Sequence, residues 1–221
     1  MGSERKENRK YVFTVEGETE QWYFEWLKDK INACPESKYN VSIVAKVQQS
    51  PKKYAKTVNP IATPAVTHIC DYESNEPFHV AKFENILDEL KTANSTIGRK
   101  FTYSLGYSNF TFELWMVLHK QACNGELTDR SQYLSHINRA YQEKFESLAQ
   151  YKHEANFKRC LSKITLADVC SAIERSERIM RSKEDAQVRP VEHKGFSYYR
   201  ENPSLTVCEP VKKILNECGL L

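Results

Sequence analysis

Glycine is scarce in this chain, and neither cysteine nor histidine falls at the spacing of a common metal motif. With only 7 glycines among 221 residues, collagen-like and glycine-rich repeat architectures are excluded. The 7 cysteines form no CxxC pair and the 6 histidines form no HxxxH pair, which excludes the usual zinc motifs. We therefore predict free, mostly buried thiols in a reducing cytoplasm rather than a disulfide framework.

The chain also lacks a long apolar run and a strong charge excess. No stretch of about 18 apolar residues occurs, so we expect a cytoplasmic protein with no membrane span. The formal net charge of +3 excludes a histone-like polycation and an acidic tail, but it permits a local basic face. A hydrophobic fraction of 40% with 28% charged residues predicts a globular chain rather than a disordered one.

The first 121 residues alternate between strand-like and helix-like patterns. Short β-branched and aromatic runs predict strands at 11–15, 41–47, 65–70 and 101–105. Helical patterns are predicted at 19–33, with Thr19 as the cap, in a short segment after Ser50, and at 77–93 and 111–121. This alternation predicts an α/β fold with a mostly parallel sheet covered by helices on both faces.

The rest of the chain changes character. Helical spacing predicts helices at 131–149 and 165–181, the second opened by a capping box between Thr165 and Asp168. A polar loop is predicted at 183–200 and a closing helix from Pro210. We therefore divide the chain into an α/β core at 1–125 and a helical C-terminal portion at 126–221 that packs on it.

Acidic residues follow two of the predicted strands directly. Glu16 follows the first strand, and Asp71 and Glu73 follow the third. The carboxyl ends of parallel strands meet at one edge of a sheet, where ligands bind. Asp71 and Glu73 are two apart, so in extended backbone both would project from the same face. Converging carboxylates bind Mg²⁺, which keeps sites open for water and phosphate and supports phosphodiester hydrolysis.

Each of these acids also has a purely structural explanation. Glu20, in the first turn of its helix, could simply complement the helix dipole, and Glu113 could do the same at 111–121. Asp71 and Glu73 could cap a solvated turn. Taken alone, the EGxxE and DxE patterns are weak, but their order at successive strand ends is more specific.

Four stretches resemble a known family. The order strand–Glu-Gly, then strand–Asp-x-acid, resembles the Toprim domain of topoisomerases, primases and OLD-family nucleases. More closely, the RloB-like family of bacterial defence proteins is similar over 15–24 (VEGETEQWYF), 70–73 (CDYE), 108–119 (SNFTFELWMVLH) and 201–207 (ENPSLTV). The stretch Tyr151-Lys152 is also similar. Two positions depart from the family pattern: Glu73, where the second acid is usually Asp, and Phe110, where the block usually reads Ser-Asn-Pro.

The resemblance implies a Toprim-like fold and a metal-dependent nuclease. It implies that Glu16 acts as general acid/base or metal ligand, and that Asp71 and Glu73 take the two acidic positions of the DxD motif. With Glu20 and Glu113 added as ligands, these residues would hold Mg²⁺ or Mn²⁺. Family members are often encoded beside an AAA/ABC-type ATPase, which we expect as a partner. A homo-oligomer is compatible with the sequence.

Nucleic acid is the expected substrate, either DNA or RNA, with tRNA included. Ser108 and Asn109 precede a helix whose N-terminus could receive a phosphate, although they could equally cap it. Lys52 and Lys53 could meet the backbone of the nucleic acid or form a solvated face. The segment 175–200 mixes basic residues, among them Arg189, Lys194 and Arg200, with aromatic residues, a composition typical of single-strand or RNA-loop binding.

The sequence therefore leads to one hypothesis and one alternative. The first is a Mg²⁺-dependent endonuclease of the Toprim-like RloB type in bacterial anti-phage defence, working with a partner ATPase. The alternative is a catalytically inactive Toprim-like module that serves as a regulatory or effector-binding subunit of an ATPase defence complex. The change to glutamate at residue 73 favours the alternative.

Overall fold

A parallel sheet lies at the centre of the computed structural model, which describes residues 6–97 and 101–221. Within those residues the sheet has four strands in the order β2-β1-β3-β4, and every neighbouring pair is parallel. The strands are β1 (Asn8–Val15), β2 (Asn40–Val47), β3 (Ala65–Tyr72) and β4 (Thr102–Asn109). The predicted α/β class is confirmed, and the architecture is consistent with a Toprim-like fold.

One face of the sheet carries the larger hydrophobic core. Phe13 and Val15 of β1 point into it, because side chains alternate along a strand. The helices on this face are α1 (Glu18–Asn32), α4 (Glu113–Leu118), α5 (Tyr133–Tyr141), α6 (Leu148–Lys152), α7 (Glu154–Ser162), α8 (Leu166–Asp185) and α9 (Cys208–Cys218), with a 3₁₀ turn at Arg130–Gln132. The helical C-terminal portion thus shares one continuous core with the first two strands. The boundary at residue 125 stays a prediction.

The opposite face carries a second core. Val12 of β1 points into it, together with Phe83, Leu87 and Leu90 of α3 (Pro77–Ile97). A short α2 (Pro51–Ala55) packs beside α3. Helices therefore cover both faces of the sheet, as the alternating pattern predicted.

A hairpin also covers this second face, where the sequence predicted only a loop at 183–200. Its strands are β5 (Val191–His193) and β6 (Phe196–Tyr198), which pair antiparallel. Lys194 and Gly195 form the two-residue turn with φ of 53° and 88°, the left-handed geometry that such hairpins need. The prediction of a loop was wrong there because three-residue strands are too short to show an alternating pattern.

The helix predicted at 131–149 is broken in the structure. Gln142 adopts a left-handed backbone with φ of 52° and ends α5. The side chain of Asn138 then replaces helical hydrogen bonds, since its Oδ1 accepts from Phe145 N at 2.8 Å and its Nδ2 donates to Phe145 O at 2.9 Å. The chain turns at this point and re-enters a helix only at α6, which brings Lys152 to the edge of the sheet.

The cysteines and the long helices bear on two further predictions from the sequence. All seven cysteines are free thiols in the structure, and five of them are buried. Across residues 6–97 and 101–221, no helix combines the length and the apolarity needed to cross a bilayer.

The capping box at the start of α8 is confirmed and supports a stability prediction. Thr165 Oγ1 accepts from Asp168 N at 3.2 Å, and Asp168 Oδ2 accepts from Thr165 N at 2.8 Å. We expect Thr165→Ala to lower the free energy of unfolding by about 1 kcal/mol, because a helix N–H loses its acceptor. For a chain of this length that corresponds to a melting temperature lower by about 2–4 °C, measured by thermal unfolding. Thr92→Ala, at an exposed interior position of α3, is the matched control and should cause no loss. Equal melting temperatures for the two variants would contradict the capping role.

Candidate functional site

The order in which successive strands are added to the sheet changes direction between β1 and β3: β2 lies on one side of this pair and β4 on the other. The strands β1 and β3 are neighbours, with Val15 paired to Ile69. The connection after β1 leads to α1 on one face, whereas the connection after β3 leads to α3 on the other. Diverging connections open a crevice between two strand ends, the usual ligand site of an open parallel sheet. Glu16 and Asp71 lie at this crevice.

Glu16 and Asp71 are joined by a hydrogen bond. The Asp71 backbone N–H donates to Glu16 Oε2 at 3.1 Å, while Glu16 Oε1 lies 4.0 Å from Lys82 Nζ. Burial raises the pKa of Glu16, and the charge of Glu20 adds to the rise. The hydrogen bond from Asp71 and the charge of Lys82 act in the opposite direction but do not cancel it. Burial also raises the pKa of Asp71 well above its usual range, helped by the charges of Glu20 and Glu16.

Glu20 turns back toward this pair from the first turn of α1. It is 5% exposed, and burial raises its pKa, with the charge of Glu113 acting in the same direction. Gly17 leaves room for it, because a Cβ at that position would lie 3.1 Å from Glu20 Oε2. The predicted cap by Thr19 is wrong: Gly17 occupies the N-cap position, and the Thr19 hydroxyl donates to Glu20 Oε2 at 2.9 Å instead. The threonine therefore orients a carboxylate rather than closing the helix.

Glu113 is the fourth carboxylate of the group and is fully buried at the start of α4. Its Oε2 accepts from the Thr111 hydroxyl and lies 3.2 Å from Lys152 Nζ. Its Oε1 is buried and has no hydrogen-bond partner among the described residues. A buried carboxylate oxygen without a partner is costly, which indicates a place for a cation or a donor. We call Glu16, Glu20, Asp71 and Glu113 the carboxylate cluster.

Lys152 brings positive charge into the carboxylate cluster from the C-terminal portion. The neighbouring Tyr151 is fully buried and packs against Phe145 and Phe157, with ring centroids 5.7 Å and 5.5 Å away. Burial lowers the pKa of Lys152, but the charges of Glu113, Asp71 and Glu20 outweigh that effect and raise it. Reasoning from residue patterns missed Lys152. The only signal was the Tyr151-Lys152 pair within the family resemblance.

Glu73 lies beside the carboxylate cluster and is held by basic side chains. Lys82 bonds to its Oε1, and His79 Nε2 and Arg130 both lie 3.5 Å from its Oε2. Burial would raise the pKa of Glu73, but the bond to Lys82 and the nearby positive charges lower it. The expectation that Asp71 and Glu73 share one face assumed extended backbone through residue 73. Because β3 ends at Tyr72, that alternation stops before Glu73.

The carboxylate cluster offers the oxygen ligands that a hard cation prefers, but its side chains are not spaced to hold one. Every candidate ligand is a carboxylate oxygen, which suits Mg²⁺, and Glu113 Oε1 meets no partner in the part of the chain that the structure describes. However, no three His, Cys, Asp or Glu side chains in residues 6–97 and 101–221 are arranged to hold one ion. The ammonium of Lys152 lies among the carboxylates in this arrangement. A metal ion would therefore require side-chain rotation within the cluster.

Two of the predicted nucleic-acid contacts are buried. Ser108 and Asn109 are both 0% exposed. The Asn109 amide donates to Tyr199 O at 3.1 Å and to Arg200 O at 3.0 Å, which ties the end of β4 to the segment after β6. The structure thus gives Asn109 a joining role, and neither side chain reaches the surface.

The basic segment that ends at residue 200 packs differently from what its composition indicated. Arg200 lies 3.5 Å from Glu84, and Lys194 lies 4.0 Å from Asp88. Tyr198 and Tyr199 are buried, so these rings are not available to stack on bases. Arg189 is exposed, as are Lys52 and Lys53 of α2 on the other side of α3. Those three side chains remain accessible to a polyanion.

The raised pKa values in the carboxylate cluster predict an unusual dependence of stability on pH. A carboxyl whose pKa is raised by folding ionises first in the unfolded chain, so stability falls as pH rises from about 4 through the raised pKa. Glu16, Glu20 and Asp71 all have raised pKa values. We expect Asp71→Asn to raise the melting temperature in EDTA, and to raise it more at pH 8 than at pH 5. A difference between variant and wild type that stays constant over this range would contradict the raised pKa of Asp71.

Comparison with known proteins gives one match. A family model described as "RloB-like protein" matches residues 11–214, nearly the whole chain. No curated protein and no solved structure shows significant similarity to the chain. The matched range includes all four carboxylates of the cluster, Lys152 and Glu73. The chain therefore belongs to the RloB-like protein family.

Proposed function

We propose that this protein is a Mg²⁺- or Mn²⁺-dependent endonuclease of the Toprim-like RloB type. The observation that carries the proposal is the carboxylate cluster at the crevice between β1 and β3, where a buried oxygen of Glu113 has no partner among residues 6–97 and 101–221. Buried acids that repel one another are costly to stability and are typical of functional sites. An oxygen-only donor set in such a crevice suits a metal that acts on phosphate esters.

The side chains have separable roles in this proposal. Glu16, Glu20, Asp71 and Glu113 would hold the metal, which, when bound, neutralises the charge that develops on the phosphate. Glu16 is also suited to exchange a proton at Oε1, because its pKa is raised and Oε2 is already engaged by Asp71 N–H. Lys82, 4.0 Å from Glu16 Oε1, is placed to attract a phosphate to that end of the crevice.

The biological setting that we propose rests on the family resemblance alone. We propose that the nuclease acts in bacterial anti-phage defence together with an AAA/ABC-type ATPase, since the resemblance implies both. Restraint by a partner has a physical rationale, because an unrestrained nuclease would cut the nucleic acid of its own host. The presence of Lys152 among the carboxylates is compatible with such restraint.

A second candidate function is a non-cleaving regulatory or effector-binding subunit. One observation favours it: Glu73 is paired with Lys82, His79 and Arg130, which leaves it less available to a metal. A regulatory subunit of this kind would keep the fold and the carboxylate cluster but would not cleave a substrate.

A cleavage assay separates the two functions. The intact protein is incubated with single-stranded DNA, single-stranded RNA, tRNA and plasmid in Mg²⁺, Mn²⁺ or EDTA. Metal-dependent strand scission that disappears in Asp71→Asn supports the nuclease. If wild type and Asp71→Asn give identical product patterns under every condition, also with the partner ATPase and ATP present, the regulatory function is the better account.

A further inference from the structure

A cleft opens directly beside Glu16, on the side of the sheet away from Lys152. It is an open cleft of about 470 Å³ between the end of β2, the start of α2 and one side of α3. Glu16 is one of the residues that line it, which places the cleft next to the carboxylate cluster. A volume of this size lies within the range of small-molecule and cofactor sites.

Positive charge stands on the rim of this cleft. Lys53 of α2 and Lys82 of α3 both line it. Lys82 bonds to Glu73 and lies 4.0 Å from Glu16 Oε1. The Lys53 ammonium has no ion-pair or hydrogen-bond partner among the described residues, and its backbone is fixed by the bond from Lys53 N to Ser50 Oγ at 3.2 Å. The rim therefore offers at least one uncommitted cation to an anionic ligand.

The walls of the cleft offer amides rather than further charges. Gln48, Gln49 and Asn85 line it, and the side-chain amides of Gln49 and Asn85 have no partner among the described residues. Gln48 Oε1 accepts from Ser50 N at 3.2 Å. Glu89 also lines the cleft, and its Oε2 already accepts from Ser50 Oγ at 2.6 Å and from Lys52 N at 3.1 Å. Uncommitted amides supply the paired donor and acceptor that the edge of a nucleobase requires.

Apolar surface completes the cleft. Val47 is 46% exposed at the end of β2, which is unusual for a valine, and Ile86 of α3 lies beside it. Ile86 is only 5% exposed, so the small apolar contact offered to a flat ring comes mainly from Val47. A cation for phosphate, amides for a base edge and an apolar contact for a base face are the three elements of nucleotide recognition.

We propose that this cleft binds one unpaired nucleotide next to the phosphodiester at Glu16, so that the substrate is single-stranded at the cleavage site. The proposal rests on the proposed nuclease function and specifies its substrate. A base inside a duplex has its edge engaged by the complementary strand and its faces stacked, and it cannot enter a pocket without being unpaired. The phosphate would lie toward Lys82 and Lys53, and the base would contact the amides of Gln49 and Asn85.

Binding to a cleavage-blocked protein tests this assignment. In the Asp71→Asn background with Mg²⁺, fluorescence anisotropy compares a labelled 12-nucleotide single strand with the same sequence in a duplex, as DNA and as RNA. We expect the single strand to bind at least about tenfold more tightly, because the duplex pays for unpairing. Gln49→Ala combined with Asn85→Ala should weaken single-strand binding about tenfold and reduce any preference for one base. Lys53→Gln should weaken every sequence alike and lower the salt slope by about 1.

Lys91→Gln supplies the matched control, since Lys91 is an exposed lysine of α3 outside the cleft. If duplex binds as tightly as single strand, or if the cleft variants behave like Lys91→Gln, the assignment is overturned. Its failure is distinct from failure of the nuclease. If binding depends on the cleft residues but the wild type does not cleave, the cleft assignment stands and the nuclease function is refuted. If the wild type cleaves and substitution of Gln49, Asn85 and Lys53 changes nothing, the nuclease function stands and the cleft assignment is refuted.

Discussion

Glu16→Gln is expected to slow Mg²⁺-dependent strand cleavage by about 10²–10³-fold, because charge neutralisation by a bound metal is worth several kcal/mol of barrier and tenfold is about 1.4 kcal/mol. The amide keeps the shape of the side chain and can still accept the hydrogen bond from Asp71 N–H. It cannot hold a negative charge or exchange a proton at Oε1. The measurement is the single-turnover rate on a labelled single strand across a Mg²⁺ series.

Glu18→Gln is the matched control for this variant. Glu18 lies two residues away, in the first turn of α1, and is exposed. The same chemical change there should leave the rate within about twofold of wild type, because exposed surface substitutions rarely disturb a protein. A Glu16→Gln rate close to that of Glu18→Gln would remove Glu16 from the chemistry. A loss that higher Mg²⁺ concentration fully restores would mark Glu16 as a ligand rather than a proton carrier.

The sequence was sufficient to predict the class of the fold and the edge of the sheet at which the acids lie. Strand periodicity located all four strands of the parallel sheet, and Glu16 and Asp71 followed from the rule that ligands bind at the carboxyl ends of parallel strands. The positions of Glu16 and Asp71 can be predicted from the local sequence pattern and the direction of neighbouring strands alone. That information is contained in short windows of sequence.

The rest of the site depends on where distant segments pack, which no short window encodes. Lys152 reaches Glu113 because Gln142 breaks a helix and the buried Tyr151 fixes α6 against Phe145 and Phe157. Glu73 contacts Lys82 of α3 and Arg130 of the C-terminal portion, and neither contact can be predicted from the pattern of its own strand. The rings of Tyr198 and Tyr199 look like stacking platforms in the sequence, but they pack into or beside the core under a hairpin too short to detect.

Lys152→Met is expected to destabilise the metal-free protein by about 1–3 kcal/mol. The change leaves Glu113 buried without its positive partner, which in fully enclosed pairs costs about 3–5 kcal/mol. We expect a loss of about 1–3 kcal/mol rather than 3–5 kcal/mol because the Lys152 side chain is 40% exposed, so solvent screens the ion pair. Thermal unfolding in EDTA should show a melting temperature several degrees below that of wild type.

The same variant should respond more strongly to Mg²⁺ than the wild type does. Removing a resident cation leaves the carboxylate cluster more negative, so a metal ion that binds there gains affinity, and a ligand bound only by the folded state raises its stability. We therefore expect Mg²⁺ to raise the melting temperature of Lys152→Met by more than that of wild type. Lys158→Met is the control, since Lys158 forms an exposed pair with Glu154 and should cost about 0.5 kcal/mol or less without altering the response to Mg²⁺. Equal Mg²⁺-induced shifts in Lys152→Met and wild type would show that the lysine and the metal do not compete for the same carboxylates, and Lys152 would then be a structural counter-charge for Glu113.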